Sequence, residues 1–186
     1  MQNKRVIHKS QRVSKTLETY TALDTKRTVL LFGEIETKLI RLMIAKLMVF
    51  DSIGSEPIKM FINSPGGDVG AGLALIDIME SLTSKITTII TGESCSMASY
   101  ISICGDTRYI TKHGIWMMHP MSVWHDDYLG FVKDRVAYET KMQGMMDIIL
   151  EENSGLTRKE IEDVKNHELW LDANQCLEKK IVDKIV

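Results

Sequence analysis

Two side chains that can together carry out acyl transfer stand in contexts rich in small residues. Ser96 lies in Gly92-Glu-Ser-Cys-Ser-Met-Ala-Ser99, and His119 lies just before Pro120 in Trp116-Met-Met-His-Pro120. A serine hydroxyl is a weak nucleophile until a base takes its proton. Histidine is the usual base because it exchanges a proton near neutrality. Alone, Ser96 has the ordinary reading of a helix N-cap, a position serine favours; the histidine gives it chemistry. A third stretch, Ile62-Asn-Ser-Pro-Gly-Gly67, ends in two glycines. Without Cβ atoms these let the backbone approach a substrate with its N–H groups free. The Gly67 N–H is therefore a candidate donor to the oxyanion that forms when a carbonyl is attacked.

The elements that must position these residues follow from the hydrophobic pattern. Lys85-Ile-Thr-Thr-Ile-Ile-Thr91 is β-branched and apolar enough for a buried strand, so Gly92–Cys95 is predicted as the turn into a helix starting near Ser96. That places Ser96 at a strand end, beside the unpaired N–H groups of a helix N-terminus. Ile115–Met118 reads as a strand ending on His119, and Ile58–Asn63 as a strand entering the Pro-Gly-Gly turn. Arg27–Phe32 is a strand ended by Gly33. From Glu36 to Phe50, Leu39, Ile40, Met43, Ile44, Leu47 and Phe50 recur every three or four residues, predicting a crossover helix. Asp68–Thr83 is helical, with Asp68 as a charge at the helix start. Tyr128–Asn153 is a long helix ended by Gly155, and Thr157-Arg-Lys-Glu160 opens another with a capping box. The alternation of strand and helix argues for an α/β fold with parallel strands.

Composition sets wide bounds. The 186 residues, 44% hydrophobic and 26% charged with net charge −2, fit one domain and give no electrostatic reason to expect nucleic acid. No apolar run approaches the ~18 residues of a membrane span. Cys95, Cys104 and Cys176 are odd in number and lack zinc-like spacing, which suits reduced thiols in a cytoplasmic setting. Cys95 is read as a packing residue. His125, Asp126 and Asp127 could be metal ligands, but a solvated turn is the simpler reading; no metal is expected. Residues 1–17 carry five Lys or Arg and no acid. They read as a flexible arm in preference to an organelle transit sequence.

Ile62-Asn-Ser-Pro-Gly-Gly67, Ser96-Met-Ala98, Met118-His-Pro120 and the closing pattern from Ala173 to Ile181-Val-Asp183 occur in an order and spacing that resembles the ClpP family, the serine peptidase subunits of the Clp protease. The resemblance runs from about Tyr20 to the C-terminus. It implies an α/β fold of the ClpP/crotonase type, with repeated β-β-α units and a projecting strand-helix handle. The expected organisation is an axial arm over residues 1–19 and one protease domain over 20–186. It implies Ser96 as nucleophile, His119 as base, and the N–H groups of Gly67 and Met97 as oxyanion donors. The family's aspartate position falls on Glu168, with Asp163 and Asp172 as alternatives. Family members form stacked heptameric rings and work with a hexameric ATPase. ATP would be used by that partner alone, since this chain lacks a G-x-x-x-x-G-K-[ST] loop, and no cofactor is expected. The partner's docking cleft falls on Lys59 and Phe61, where a lysine weakens an apolar site unless its ammonium reaches water. Met121–Asp127 lacks the glycines of the family's handle strand. Two other readings are a catalytically silent, ClpR-like ring subunit and a crotonase-like acyl-CoA enzyme.

Overall fold

A computed structural model describes residues 26–186. The expected N-terminal arm (1–19) and the segment Tyr20–Asp24 lie outside the described residues. Strand β1 (Thr28–Phe32), helix α1 (Thr37–Ile53), β2 (Ile58–Ser64), α2 (Val69–Ser81), β3 (Ile86–Cys95) and α3 (Met97–Ile103) alternate as the pattern predicts, and β4 (Thr107–Ile110) adds a strand that the pattern did not mark. They are followed by β5 (Ile115–Met118), α4 (Leu129–Asn153), α5 (Arg158–Val164), β6 (Leu169–Asp172), α6 (Ala173–Glu178) and β7 (Lys184–Ile185). The main path of the sheet is β1-β2-β3-β4-β7, all parallel. Parallel neighbours need a crossover connection, which is why helices separate β1 through β4 in the chain.

Gly92–Cys95, expected as a turn, is the second half of β3. The strand bends there instead of ending: Gly92 has φ +90°, and a Cβ on it would lie 2.5 Å from Asn63 Oδ1. Below the bend Thr87–Ile90 pairs with β4; above it Glu93–Cys95 pairs with β5. The extension makes β3 the element shared by two branches of the sheet, and β6 adds antiparallel to β5 on the second branch.

One face of the sheet is filled by Val29, Leu31, Met60, Ile62, Ile86 and Ile90, with Ile40, Met43, Leu47 and Phe50 of α1 packed in the same cluster. The α1 stripe read from spacing is this face, although Leu39 and Ile44 stay half-buried. Arg27, just before β1, binds the end of α1: its guanidinium donates to the carbonyls of Phe50 (2.5 Å), Gly54 (3.1 Å) and Glu56 (2.8 Å). The carbonyls at a helix C-terminus lack partners within the helix, and the Ser84 hydroxyl adds a second donor to Gly54 O (3.1 Å).

Helix α4 stands off this body along its first half. No residue from Leu129 to Lys141 is buried, whereas Met142, Met146, Asp147 and Leu150 are. Met142 and Met146 therefore fill core and Met145 does not. The helix part of the expected handle is present, but residues 121–127 form no strand.

Candidate active site

The candidate residues gather where the parallel strands end. Ser64 pairs with Ser94 and Cys95 pairs with Met117, so β2, β3 and β5 finish side by side, the edge at which open α/β sheets present ligands and reacting groups. Ser96 follows β3 directly. Its backbone is at φ 54°, ψ −126°, a region that non-glycine residues adopt at a cost of about 1–3 kcal/mol. Surrounding contacts hold it there. The Ser96 N–H donates to Met117 O (2.9 Å), and its carbonyl accepts from Ser99 N (2.9 Å) and Ser99 Oγ (2.5 Å). The hydroxyl makes no capping bond to α3. The ordinary N-cap role is therefore not the one Ser96 performs.

The Pro-Gly-Gly turn closes on this serine. A Cβ on Gly66 would lie 2.6 Å from Ser96 Cβ and 3.0 Å from Met97 N, and Gly66 has φ +98°. Only glycine allows that approach. Gly67 bridges to Ile35, with bonds running from Ile35 N to Gly66 O (2.7 Å) and from Asp68 N to Ile35 O (2.9 Å). The Gly67 N–H takes no part in them. Asp68 caps α2 through Ala71 N (2.6 Å), which fits its reading as a helix-start charge. Met97 is the first residue of α3, where a peptide N–H has no partner inside the helix.

His119 follows β5 by one residue, and its Nδ1 lies 2.6 Å from Pro120 O. Because that carbonyl can only accept, this contact selects, in the neutral imidazole, the tautomer with its proton on Nδ1 and a lone pair on Nε2. Glu168 immediately precedes β6. The β5–β6 register pairs Met118 with Leu169 and Met117 with Trp170; continued by one residue, it sets Glu168 opposite His119. Glu168 is exposed, and its Oε2 accepts from Trp170 Nε1 at 2.9 Å, not from His119. Of the other two acids, Asp172 caps α6 through Gln175 N (2.9 Å) in a capping box, and Asp163 is exposed on α5. Cys95 is buried beside Ser96, and burial first, then Glu93 and Glu168, pushes its thiol up to about 11. It stays protonated near neutrality, so the thiol does not compete as a nucleophile.

Several features had no signal in the sequence. The Pro120 carbonyl on His119 and the Trp170 indole on Glu168 depend on side-chain rotation and strand register. His125 is no solvated turn: Nε2 pairs with Glu139 Oε2 of α4 at 2.8 Å, and Nδ1 is buried without a partner. Asp127 pairs with Arg135 (3.0 Å), and among the described residues no three His, Cys, Asp or Glu gather as a metal site would require. At the cleft positions, Lys59 is exposed and Phe61 half-buried on one face of β2. Phe61 has Leu30 and Ile89 beside it on the neighbouring strands.

Fold and site together define a class: one mostly parallel α/β sheet that gathers a strained serine, a histidine and a glycine turn at its carboxyl edge, with a long helix standing off the body. Comparison with known proteins narrows the class. The Clp protease family profile matches residues 10–186, and the chain belongs to that family. It is 29% identical to the ATP-dependent Clp protease proteolytic subunit of Streptococcus uberis over 189 aligned residues, covering 97% of this chain and 95% of the relative. The proteins of the same description from Streptococcus mutans and Streptococcus sanguinis are 29% and 28% identical with the same coverage. No helix among the described residues is long and apolar enough to cross a membrane.

Proposed function

We propose that this chain is the cytoplasmic peptidase core of a self-compartmentalised serine protease, hydrolysing peptide bonds of unfolded polypeptides or short peptides. Ser96 Oγ attacks the scissile carbonyl carbon while His119 Nε2 takes its proton. The oxyanion accepts from the N–H groups of Gly67 and Met97. As the C–N bond breaks, His119 returns the proton to the leaving amine, giving an acyl-serine. Water then repeats the sequence, with His119 as base, and releases the acid and free Ser96. Glu168 orients His119 by accepting from Nδ1 in the reacting state, which requires the imidazole to leave Pro120 O. No metal or cofactor enters any step. The name of the relatives supports use of ATP by a separate partner, as does the lack of a phosphate-binding loop here.

The observation that carries this reading is Ser96 itself: a strained backbone, a hydroxyl not spent on capping, and a glycine turn seated against it. Labelling with a serine-reactive fluorophosphonate tests it. The parent should label at Ser96 and cleave a fluorogenic peptide; Ser96→Ala should fold, fail to label and lose roughly 10^6-fold in turnover. A parent that neither labels nor cleaves would favour the second reading, a silent ClpR-like ring subunit. The observation favouring that alternative is that His119 and Glu168 are each bonded to other groups.

A further inference from the structure

A glutamate at the acid position has one more rotatable bond than an aspartate. Holding its carboxylate beside a histidine therefore needs a restraint that aspartate would not. Trp170 is placed to supply it. Glu168 immediately precedes β6 and Trp170 is its second residue; the β5–β6 register sets Met117 opposite Trp170, and continued by one residue it sets His119 opposite Glu168. The indole N–H donates to Glu168 Oε2 at 2.9 Å, and Oε1 has no partner among the described residues. Trp170 is 52% exposed, so core burial does not explain a tryptophan there.

From this geometry we infer that Trp170 is a positioning residue: its indole N–H clamps one oxygen of the Glu168 carboxylate and leaves the other for His119 Nδ1. The inference rests on the reading of Glu168 as the acid. The chemistry of the donor suits this role. An indole N–H only donates, so it cannot compete with the carboxylate for the histidine proton. It is also uncharged, whereas a lysine or arginine there would offset the charge that must stabilise the imidazolium.

The test is kinetic and uses the full chain. Trp170→Phe keeps a ring and removes the N–H. It should lower kcat by about tenfold, the scale of one hydrogen bond to a charged group, with KM unchanged. The acidic limb of the pH–rate profile should also move to lower pH, since a loosely held carboxylate supports the imidazolium less well. The isosteric 3-benzothienylalanine at position 170, which lacks only the N–H, should give the same loss if Phe disturbs folding. In Glu168→Asp, whose shorter side chain needs no clamp, adding Trp170→Phe should cost nothing further. If Glu168→Gln matches the parent, or the parent shows no turnover, the underlying assignment of the acid is overturned. If Glu168→Gln is impaired while Trp170→Phe matches the parent in kcat and pH profile, the clamp alone is overturned.

Discussion

Ser96 shows how a single residue is kept in a conformation it would not choose. Its strain persists because the neighbours over-determine it: Met117 O takes its N–H, Ser99 takes its carbonyl, and Gly66 leaves no space for it to relax toward the turn. The same crowding yields a prediction. Gly66→Ala places a methyl group 2.6 Å from Ser96 Cβ at a φ of +98°, so it should lower stability by roughly 2 kcal/mol and reduce peptidase turnover as Ser96 is displaced. Gly144→Ala is the control. Nothing lies within 4 Å of its added methyl on exposed α4, so stability should hold or rise, by up to about 1 kcal/mol. Thermal denaturation of the two variants checks this; equal midpoints would show that Gly66 is not crowded.

Among the elements, α5 is built from its own ends. Thr157 accepts from Glu160 N (3.3 Å), and Glu160 Oε2 accepts from Thr157 N (2.8 Å), completing the capping box that the sequence announced. Glu160 also reaches beyond its own helix. Its other oxygen pairs with Lys179 Nζ at 2.5 Å, tying α5 to the end of α6. The Lys179 bond first, then the Thr157 bonds, hold its carboxyl down to about 2, against an ordinary 4.5. A carboxyl lowered on folding stabilises above its unfolded value and loses that contribution as pH falls toward its folded value. Between pH 4.5 and 2 the urea midpoint of the parent should therefore fall, and in Glu160→Gln it should fall less steeply. Parallel curves for the two proteins would remove Glu160 from the acid transition.

For the whole molecule, the described surface is more apolar than a lone subunit needs. Helix α1 exposes Leu42, Met48, Val49 and Ile53, and the start of α4 exposes Leu129, Phe131 and Tyr138, with Trp124 and Tyr128 just before it. Large exposed patches of this kind mark interaction surfaces, and closed point symmetry covers them without open-ended growth. Native mass measurement should find heptameric rings, stacked in pairs. A monomer or dimer at micromolar concentration would overturn the ring; a stable single heptamer would place the fault at residues 121–127, where no handle strand forms. On β2, exposed Lys59 shares a face with half-buried Phe61. A Clp-type ATPase that docks through an apolar loop should accordingly bind weakly, and Lys59→Tyr should tighten it. Tight binding by the parent in a pull-down would show that the lysine lies clear of the contact.

The sequence by itself determined the alternation of strand and helix, because burial against one sheet face writes a period of two or of three to four into the chain, and that period survives without any partner in view. It also marked Ser96, His119 and the Pro-Gly-Gly turn, since acyl transfer and close backbone approach each admit few residue types. The capping box at Thr157 was legible for the same reason: its partner Glu160 lies three residues on. Only the tertiary structure decided what depends on distant pairing. The bend at Gly92 reads as a turn in one dimension, and becomes a continued strand only because β5 supplies partners for Glu93 to Cys95. Arg27 looks like the first residue of a strand until the end of α1 folds back onto its guanidinium. The orienting partners of His119 and Glu168 were hidden likewise, because a hydrogen bond is fixed by side-chain rotation and strand register, and neither is written in the order of the residues.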